Sequence, residues 1–273
     1  MRKRTSDADR AGPAARNTPI RVVIVALDGH LAGTLDRARP ALQRDIPGLH
    51  LSLHAAAEWA DDSQAVERCR ADVAQGDIII STMLVMEEHI KPILPALQAR
   101  RDQCDAMVCC MSAGEVMRLT RMGGFSMDGS KGGPMALLKR LRGGHKKEGQ
   151  EANTGSQQMS MLRRIPKLLR FIPGTAQDVR AYFLSLQYWL AGSEENIANM
   201  VRYLVDRYAD GERRVLRGTL KVPPPLEYPE VGIYHPRLSG HISDDLGRLP
   251  AAGRDTKGTV GLLLMRSYVL AGN

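Results

Sequence analysis

The chain has 273 residues, 43% of them apolar and 25% charged, and a formal net charge of +8, which is enough length for one large domain or two ordinary ones with a sizeable core. With three Phe and two Trp, that core must be filled by Leu, Val, Ile, Ala and Met, and few rings remain to stack nucleic-acid bases. No apolar run approaches the ~20 residues of a membrane helix, so neither a nucleic-acid partner nor an integral membrane segment is expected.

The first twenty residues are basic and rich in Pro and Ala, with no apolar core of a signal peptide, and read as a disordered tail. From Arg21 the pattern changes. RVVIVALD (Arg21–Asp28) is a β-branched run suited to a strand buried on both faces. HLAGTLDRARPALQRD then spaces Leu31, Leu35, Ala38 and Leu42 as a helix does, with Pro40 a possible kink. LHLSLHAA (Leu49–Ala56) alternates like a strand, and Ser63–Gln75 is helical with Ser63 as N-cap.

GDIIISTM (Gly76–Met83) is a second apolar strand, followed by a helix from Glu87 to Arg101 that runs through two prolines. DAMVCCMS (Asp105–Ser112) reads as a strand and Ser112–Met122 as a helix, with Ser112 and Glu115 in the Ser-x-x-Glu capping-box pattern. Strands alternating with helices imply a parallel sheet. The expected fold class is α/β: a doubly wound, flavodoxin- or Rossmann-like sheet, then a helical region and the start of a second α/β domain.

The expected division is a tail over 1–20, an α/β domain over 21–142, a polar Gly-rich linker or insertion over 143–158, and an incomplete region over 159–273. GGFSMDGSKGGP reads as a loop. Three further helical patterns follow: QMSMLRRIPKLLRFI, a second with a stripe of Val179, Phe183, Leu186 and Leu190, and a third opening on Ser193 and Asn196. After a proline-rich connection over Val222–Leu238, TVGLLLM reads as another buried strand. A buried strand needs neighbours and covering helices, so the chain reads as a fragment.

Neighbouring strand residues point to opposite faces, so Cys109 and Cys110 cannot easily share one metal. Cys104 fits no zinc or redox spacing. The four cysteines read as buried and inert, in a reduced cytoplasmic setting. No P-loop, G-x-G-x-x-G, H-E-x-x-H or G-x-S-x-G motif is present. The residues thus show no ATP chemistry, no complete catalytic constellation and no metal-ligand spacing.

Ligands of open parallel sheets bind beyond the carboxyl ends of the strands. Those ends carry Asp28-Gly29-His30, Ser81-Thr82 and Ser112-Ala113-Gly114-Glu115. His30, Ser112 and Glu115 are thus the candidate substrate-binding residues. Charge is also concentrated: Lys131–Arg170 holds ten Lys/Arg against Glu148 and Glu151. That stretch reads as a solvated basic face or as a docking surface for an acidic partner subunit or a membrane surface, with Lys139, Arg140, Lys146 and Lys147 the docking candidates.

The segments VVIVALDGHLAGTLDRARPAL, LSLHAAAEW and DIIISTM through GGFSM resemble the N-terminal region of the large porphyrin-binding H subunit of magnesium chelatase. PGTAQDVRAYFLSLQYWLAGSEENIANMVRYLVDRYA, PEVGIYHP and GTVGLLLMRSYVLAGN resemble the domain shared with the cobaltochelatase large subunit. The resemblance implies protoporphyrin IX and Mg²⁺ as substrates of a complex in which two AAA+-type subunits hydrolyse ATP, on the route to chlorophyll or bacteriochlorophyll. It implies that this part shapes or gates porphyrin access and docks partners, and is inactive alone. The other reading, from the residues alone, is a stand-alone flavodoxin-like binding or regulatory module.

Overall fold

Short β-branched runs with no polar face can only be strands covered on both sides, and such strands build the centre of this molecule. The computed structural model describes residues 17–129, 164–238, 240–249 and 261–271. Four parallel strands, β1 (Ile20–Ala26), β2 (Leu49–Ala55), β3 (Ile78–Thr82) and β4 (Ala106–Cys110), lie in the order β2-β1-β3-β4. The strand order reverses between β1 and β3, which is the topological switch point of a doubly wound sheet.

Between these strands run α1 (Ala32–Asp45), α2 (Ser63–Gln75), and two short helices, α3 (Glu87–Ile90) and α4 (Leu94–Arg100). Helix α1 covers one face of the sheet, and α2 and α4 cover the other. Strand alternation feeds the two cores: Val22, Ile24 and Ala26 enter the first, Val23 and Val25 the second. The vicinal cysteines divide in the same way, Cys110 to the first face and Cys109 to the second. Helix α1 runs on through Pro40, which sits on its exposed side.

Two long helices complete the first face. Helix α6 (Thr175–Ala191) is buried nearly all round, beyond the single stripe its spacing suggests, because it packs at once against β6, α7 (Glu194–Tyr208), the turn at Leu169–Phe171 and the C-terminal helix over Arg266–Ala271. Gly192 closes α6 in a left-handed C-cap (φ 66°), and Ser193 opens α7 by accepting from Asn196 N–H at 3.3 Å. Helix α7 packs beside α1, and Arg202 reaches Asp45 at 2.8 Å.

Several expectations are corrected. Asp62, not Ser63, caps α2, its carboxylate accepting from Gln64 N–H. The helix expected over Glu87–Arg101 is broken into α3 and α4, since Pro92 and Pro95 lack the N–H donors a continuous helix requires. The helix expected from Ser112 to Met122 shrinks to one turn, α5 (Gly114–Met117), with Ala113 as N-cap and no side-chain cap. Arg121–Met122 instead forms β5, which pairs with β4, and Phe125–Ser126 within the expected loop forms β6. Gly123 (φ 57°) supplies the left-handed turn between them.

The last correction concerns GLLLM. Residues 261–265 are exposed, Leu263 fully so (101%), and pair with no strand among the described residues; α8 (Arg266–Ala271) follows. An apolar run reads as a buried strand only where a sheet edge receives it, and no described edge does. A two-residue ribbon, β7 (Ile233–Tyr234) with β8 (Ile242–Ser243), stands apart from the main sheet.

Candidate functional site

The carboxyl ends of β1, β3 and β4 open at one end of the sheet, as the alternating architecture requires. At the exit of β1 the Asp-x-His spacing folds back on itself. Asp28 Oδ1 accepts from His30 N–H at 3.2 Å and also meets His30 Nδ1. The His30 side chain is only 14% exposed, and its ring lies 5.7 Å from that of Tyr268 on α8. A carboxylate on one ring nitrogen orients an imidazole.

Helix α8 is tied to the start of α1. Thr34 Oγ1 donates to the Ala271 carbonyl at 3.0 Å, and Arg37 donates to the same oxygen while lying 3.4 Å from Glu194 at the start of α7. Beyond these residues a groove of about 720 Å³ opens. Arg37, Glu194, Glu227, Tyr228, Tyr234 and His241 are among its lining residues. Its proline-rich wall is held by Asn196, fully buried, whose Nδ2 donates to the Leu226 carbonyl at 3.1 Å while Oδ1 accepts from Leu226 N–H at 2.8 Å.

The exits of β3 and β4 are twins. Each passes through a methionine with left-handed backbone, Met83 (φ 60°) and Met111 (φ 51°), a conformation that costs a residue with a side chain about 1 kcal/mol or more. Ser112 holds the two exits together: its hydroxyl donates to the Cys110 carbonyl at 3.0 Å and accepts from Leu84 N–H at 3.1 Å. Ala113 N–H closes the pair on the Leu84 carbonyl at 2.8 Å. The hydroxyl of Ser112 is thus committed to backbone, not to a capping box.

Strand β4 outruns its partner on one side, because β5 pairs only with Ala106 and Met107. Thr120 takes the place of the missing strand: its Oγ1 accepts from Cys109 N–H at 3.2 Å and donates to the Cys109 carbonyl at 3.1 Å. Tyr182 on α6 donates to that carbonyl as well, at 3.2 Å. Both residues are buried. A buried backbone pair without these groups would remain unsatisfied.

His30, Ser112 and Glu115 therefore share one end of the sheet. His30 follows β1 and the other two follow β4, two strand spacings away or about 10 Å. No contact joins them among the described residues. Glu115 is exposed on α5, and His235 lies on the β7–β8 ribbon, where its Nδ1 accepts from Arg237 N–H at 3.2 Å. Lys139, Arg140, Lys146 and Lys147 lie outside the described residues. Thr34, Arg37, Asn196 and Tyr268 are additions that local sequence pattern does not disclose.

All four cysteines are free and buried. Burial pushes the Cys69 thiol up to about 12 and Cys110 to about 11, and raises Cys104 and Cys109 too, so none is poised as a thiolate. Among the described residues no three His, Cys, Asp or Glu side chains gather as metal ligands, and no helix is long and apolar enough to cross a membrane. At the opposite end of the sheet Arg213 binds Asp105 through two contacts of 2.8 and 2.9 Å and Asp77 at 3.3 Å, fastening the segment after α7 under β3 and β4.

Similarity to known proteins agrees with the sequence resemblance. The magnesium-chelatase H subunit of Cereibacter sphaeroides is 50% identical over 262 residues, covering 96% of this chain and 21% of that protein. The H subunit of Rhodobacter capsulatus is 48% identical over 95% of this chain and 21% of its own length. The chloroplastic ChlH subunit of Oryza sativa subsp. indica is 28% identical over 98% and 19%. The chain thus spans about a fifth of the length of these relatives. Residues 186–273 match the family described as CobN/Magnesium Chelatase, and residues 21–183 match a domain of unknown function, DUF3479. The seam between the two matches falls inside α6, which shares its core with the sheet. As the match over residues 21–183 spans more than half of its length, the chain belongs to the DUF3479 family.

Proposed function

We propose that this chain serves as the porphyrin-access and docking part of a magnesium-chelatase H subunit, in the insertion of Mg²⁺ into protoporphyrin IX during chlorophyll or bacteriochlorophyll synthesis. The observation that carries the proposal is the 50% identity to a magnesium-chelatase H subunit over 96% of the chain. In this reading residues 21–142 form the N-terminal α/β unit, 143–158 a linker or insertion, and 159–273 the beginning of the chelatase-type region. The work is cytoplasmic, and ATP is hydrolysed by two AAA+-type partner subunits. The chain alone is inactive.

Insertion requires that two pyrrole N–H protons leave and that Mg²⁺, which dehydrates reluctantly, sheds water. Both demands call for a general base and oxygen ligands in a closed cavity, and these lie outside this chain in our reading. Its own share is access. The groove of about 720 Å³ falls within the range of small-molecule sites. Tyr228, Tyr234 and His241 present rings to a flat macrocycle, and Arg248 presents charge to a propionate. His30, Ser112 and Glu115 border the same end of the sheet, and Lys139, Arg140, Lys146 and Lys147 supply positive charge for docking.

Titration of the 273-residue chain with protoporphyrin IX, followed by fluorescence quenching, tests the access role. Saturable quenching in the micromolar range, weakened tenfold or more by Tyr228→Ala with Tyr234→Ala, is expected. A folded chain that does not quench, or quenches without saturation, contradicts it.

A further inference from the structure

We infer that residues 262–265 and the neighbouring β7–β8 ribbon form a docking face whose occupant is an unpaired sheet edge in the rest of an H-type chelatase subunit. The inference rests on the family reading above. Of the fifteen large apolar side chains left exposed among the described residues, ten fall between Leu226 and Tyr268, so the exposure is regional and not scattered. Isolated apolar residues on a surface are ordinary, but Leu262, Leu263, Leu264 and Met265 are consecutive, and a contiguous apolar run of that kind marks an interaction site.

The backbone makes the same demand. Residues 261–264 belong to no helix or strand, and no backbone hydrogen bond joins them to another strand among the described residues. The β7–β8 ribbon is two residues wide on each side, far less than an independent sheet needs. Leu262 (81%) and Leu263 (101%) are the most exposed of the run, and Val231, beside β7, is 85% exposed. In a strand, successive side chains face opposite ways, so covering both needs a sheet edge with apolar layers on either side, not a flat surface.

The face is presented firmly. Met265 leads directly into α8, which is anchored to α1 through Ala271 and to His30 through Tyr268. Arg266 donates to the carbonyls of Tyr228 and Pro229 at 3.3 and 3.0 Å, so the stretch before β7 is tied to the start of α8. Both apolar pieces therefore hang on one clamp.

The relatives identify the occupant. This chain matches only 19 to 21% of their length, so about four-fifths of each relative lies outside the match and is available to cover the matching segment. Addition of a strand to an open sheet edge is a common mode of association.

Hydrogen exchange tests the inference. The amides of residues 262–265 are compared in the 273-residue chain alone and in a chimera where the chain replaces the matching fifth of the Cereibacter sphaeroides H subunit. Exchange at unprotected rates in the isolated chain, slowed at least 100-fold in the chimera, is expected. Leu263→Asp should leave the melting temperature of the isolated chain unchanged yet abolish most of the protection in the chimera. Equal, unprotected exchange in both proteins overturns the inference. Protection already present in the isolated chain, with a dimeric mass by sedimentation, overturns the occupant in favour of a second copy. Should the chimera not fold, the matching segment of the unmodified relative is measured, with the same protection expected. A protected segment in a chimera that inserts no Mg²⁺ would reject the chelatase reading while leaving the docking intact, so the two failures are distinguishable.

Discussion

Thr120 is a one-residue replacement for a strand, and removing its hydroxyl measures how the end of β4 is held at the candidate site. Thr120→Val keeps the volume and shape of the side chain but loses the acceptor for Cys109 N–H and the donor to the Cys109 carbonyl, at 3.2 and 3.1 Å. The site is fully buried, so water cannot substitute. Each lost hydrogen bond costs about 1 kcal/mol net, and a buried N–H left without a partner adds about 1–3 kcal/mol. The carbonyl keeps Tyr182 as a donor, which limits the total to roughly 2–4 kcal/mol. Thr120→Ser keeps both hydrogen bonds and removes one methyl group, so its cost should stay near 1 kcal/mol. Urea unfolding of the three proteins, with equal slopes as the check on two-state behaviour, gives the comparison. A valine variant within about 0.5 kcal/mol of the parent, a typical neutral surface change, would refute the argument.

Three other outcomes are expected. Asn196→Asp keeps an acceptor for Leu226 N–H but turns its amide donor into an oxygen facing the Leu226 carbonyl; about 2–4 kcal/mol should be lost, with faster hydrogen exchange over 222–229, and unchanged exchange there would count against its role as the groove's anchor. Burial raises the Asp206 carboxyl above its ordinary 3.8, although it accepts from Leu220 N–H. The folded state therefore holds that proton more tightly than the unfolded chain, and its contribution is present below about pH 4 and lost as pH rises through the raised value. Parental stability should fall relative to Asp206→Asn across that window, and parallel stability curves would contradict the assignment. Tyr182→Phe should cost about 1 kcal/mol in the Thr120 parent and more in the Thr120→Val background, where the Cys109 carbonyl has no other donor; strict additivity would show that the two hydroxyls do not serve one carbonyl.

How much of this was legible in the residues depends on the range of the interaction involved. RVVIVALD, GDIIIST and DAMVCC declare themselves as strands because a strand covered on both faces has no polar side to disguise it. The positions of His30, Ser112 and Glu115 at one sheet end follow from alternation alone. Their separation does not, since it depends on β3 lying between β1 and β4. The hairpin at Arg121–Ser126 escaped notice because two-residue strands are too short to show a period. Ser-x-x-Glu misled because Ser112 found better use for its hydroxyl on neighbouring backbone, something no local rule foresees. Thr34 and Arg37 act through Ala271, more than 230 positions away, and nothing local to α1 announces such a partner. GLLLM shows the limit most plainly: its pattern states what the segment needs, and not where that partner lies.

The most direct test of the account is ATP-dependent Mg²⁺ insertion into protoporphyrin IX by the chimera in which this chain replaces the matching fifth of the Cereibacter sphaeroides H subunit. The assay includes that organism's own partner subunits, with the unmodified H subunit measured alongside. An insertion rate within tenfold of the unmodified protein is predicted. A chimera that folds, by circular dichroism and cooperative unfolding, yet inserts no Mg²⁺ would contradict the claim that this chain performs the work of that part of a chelatase H subunit.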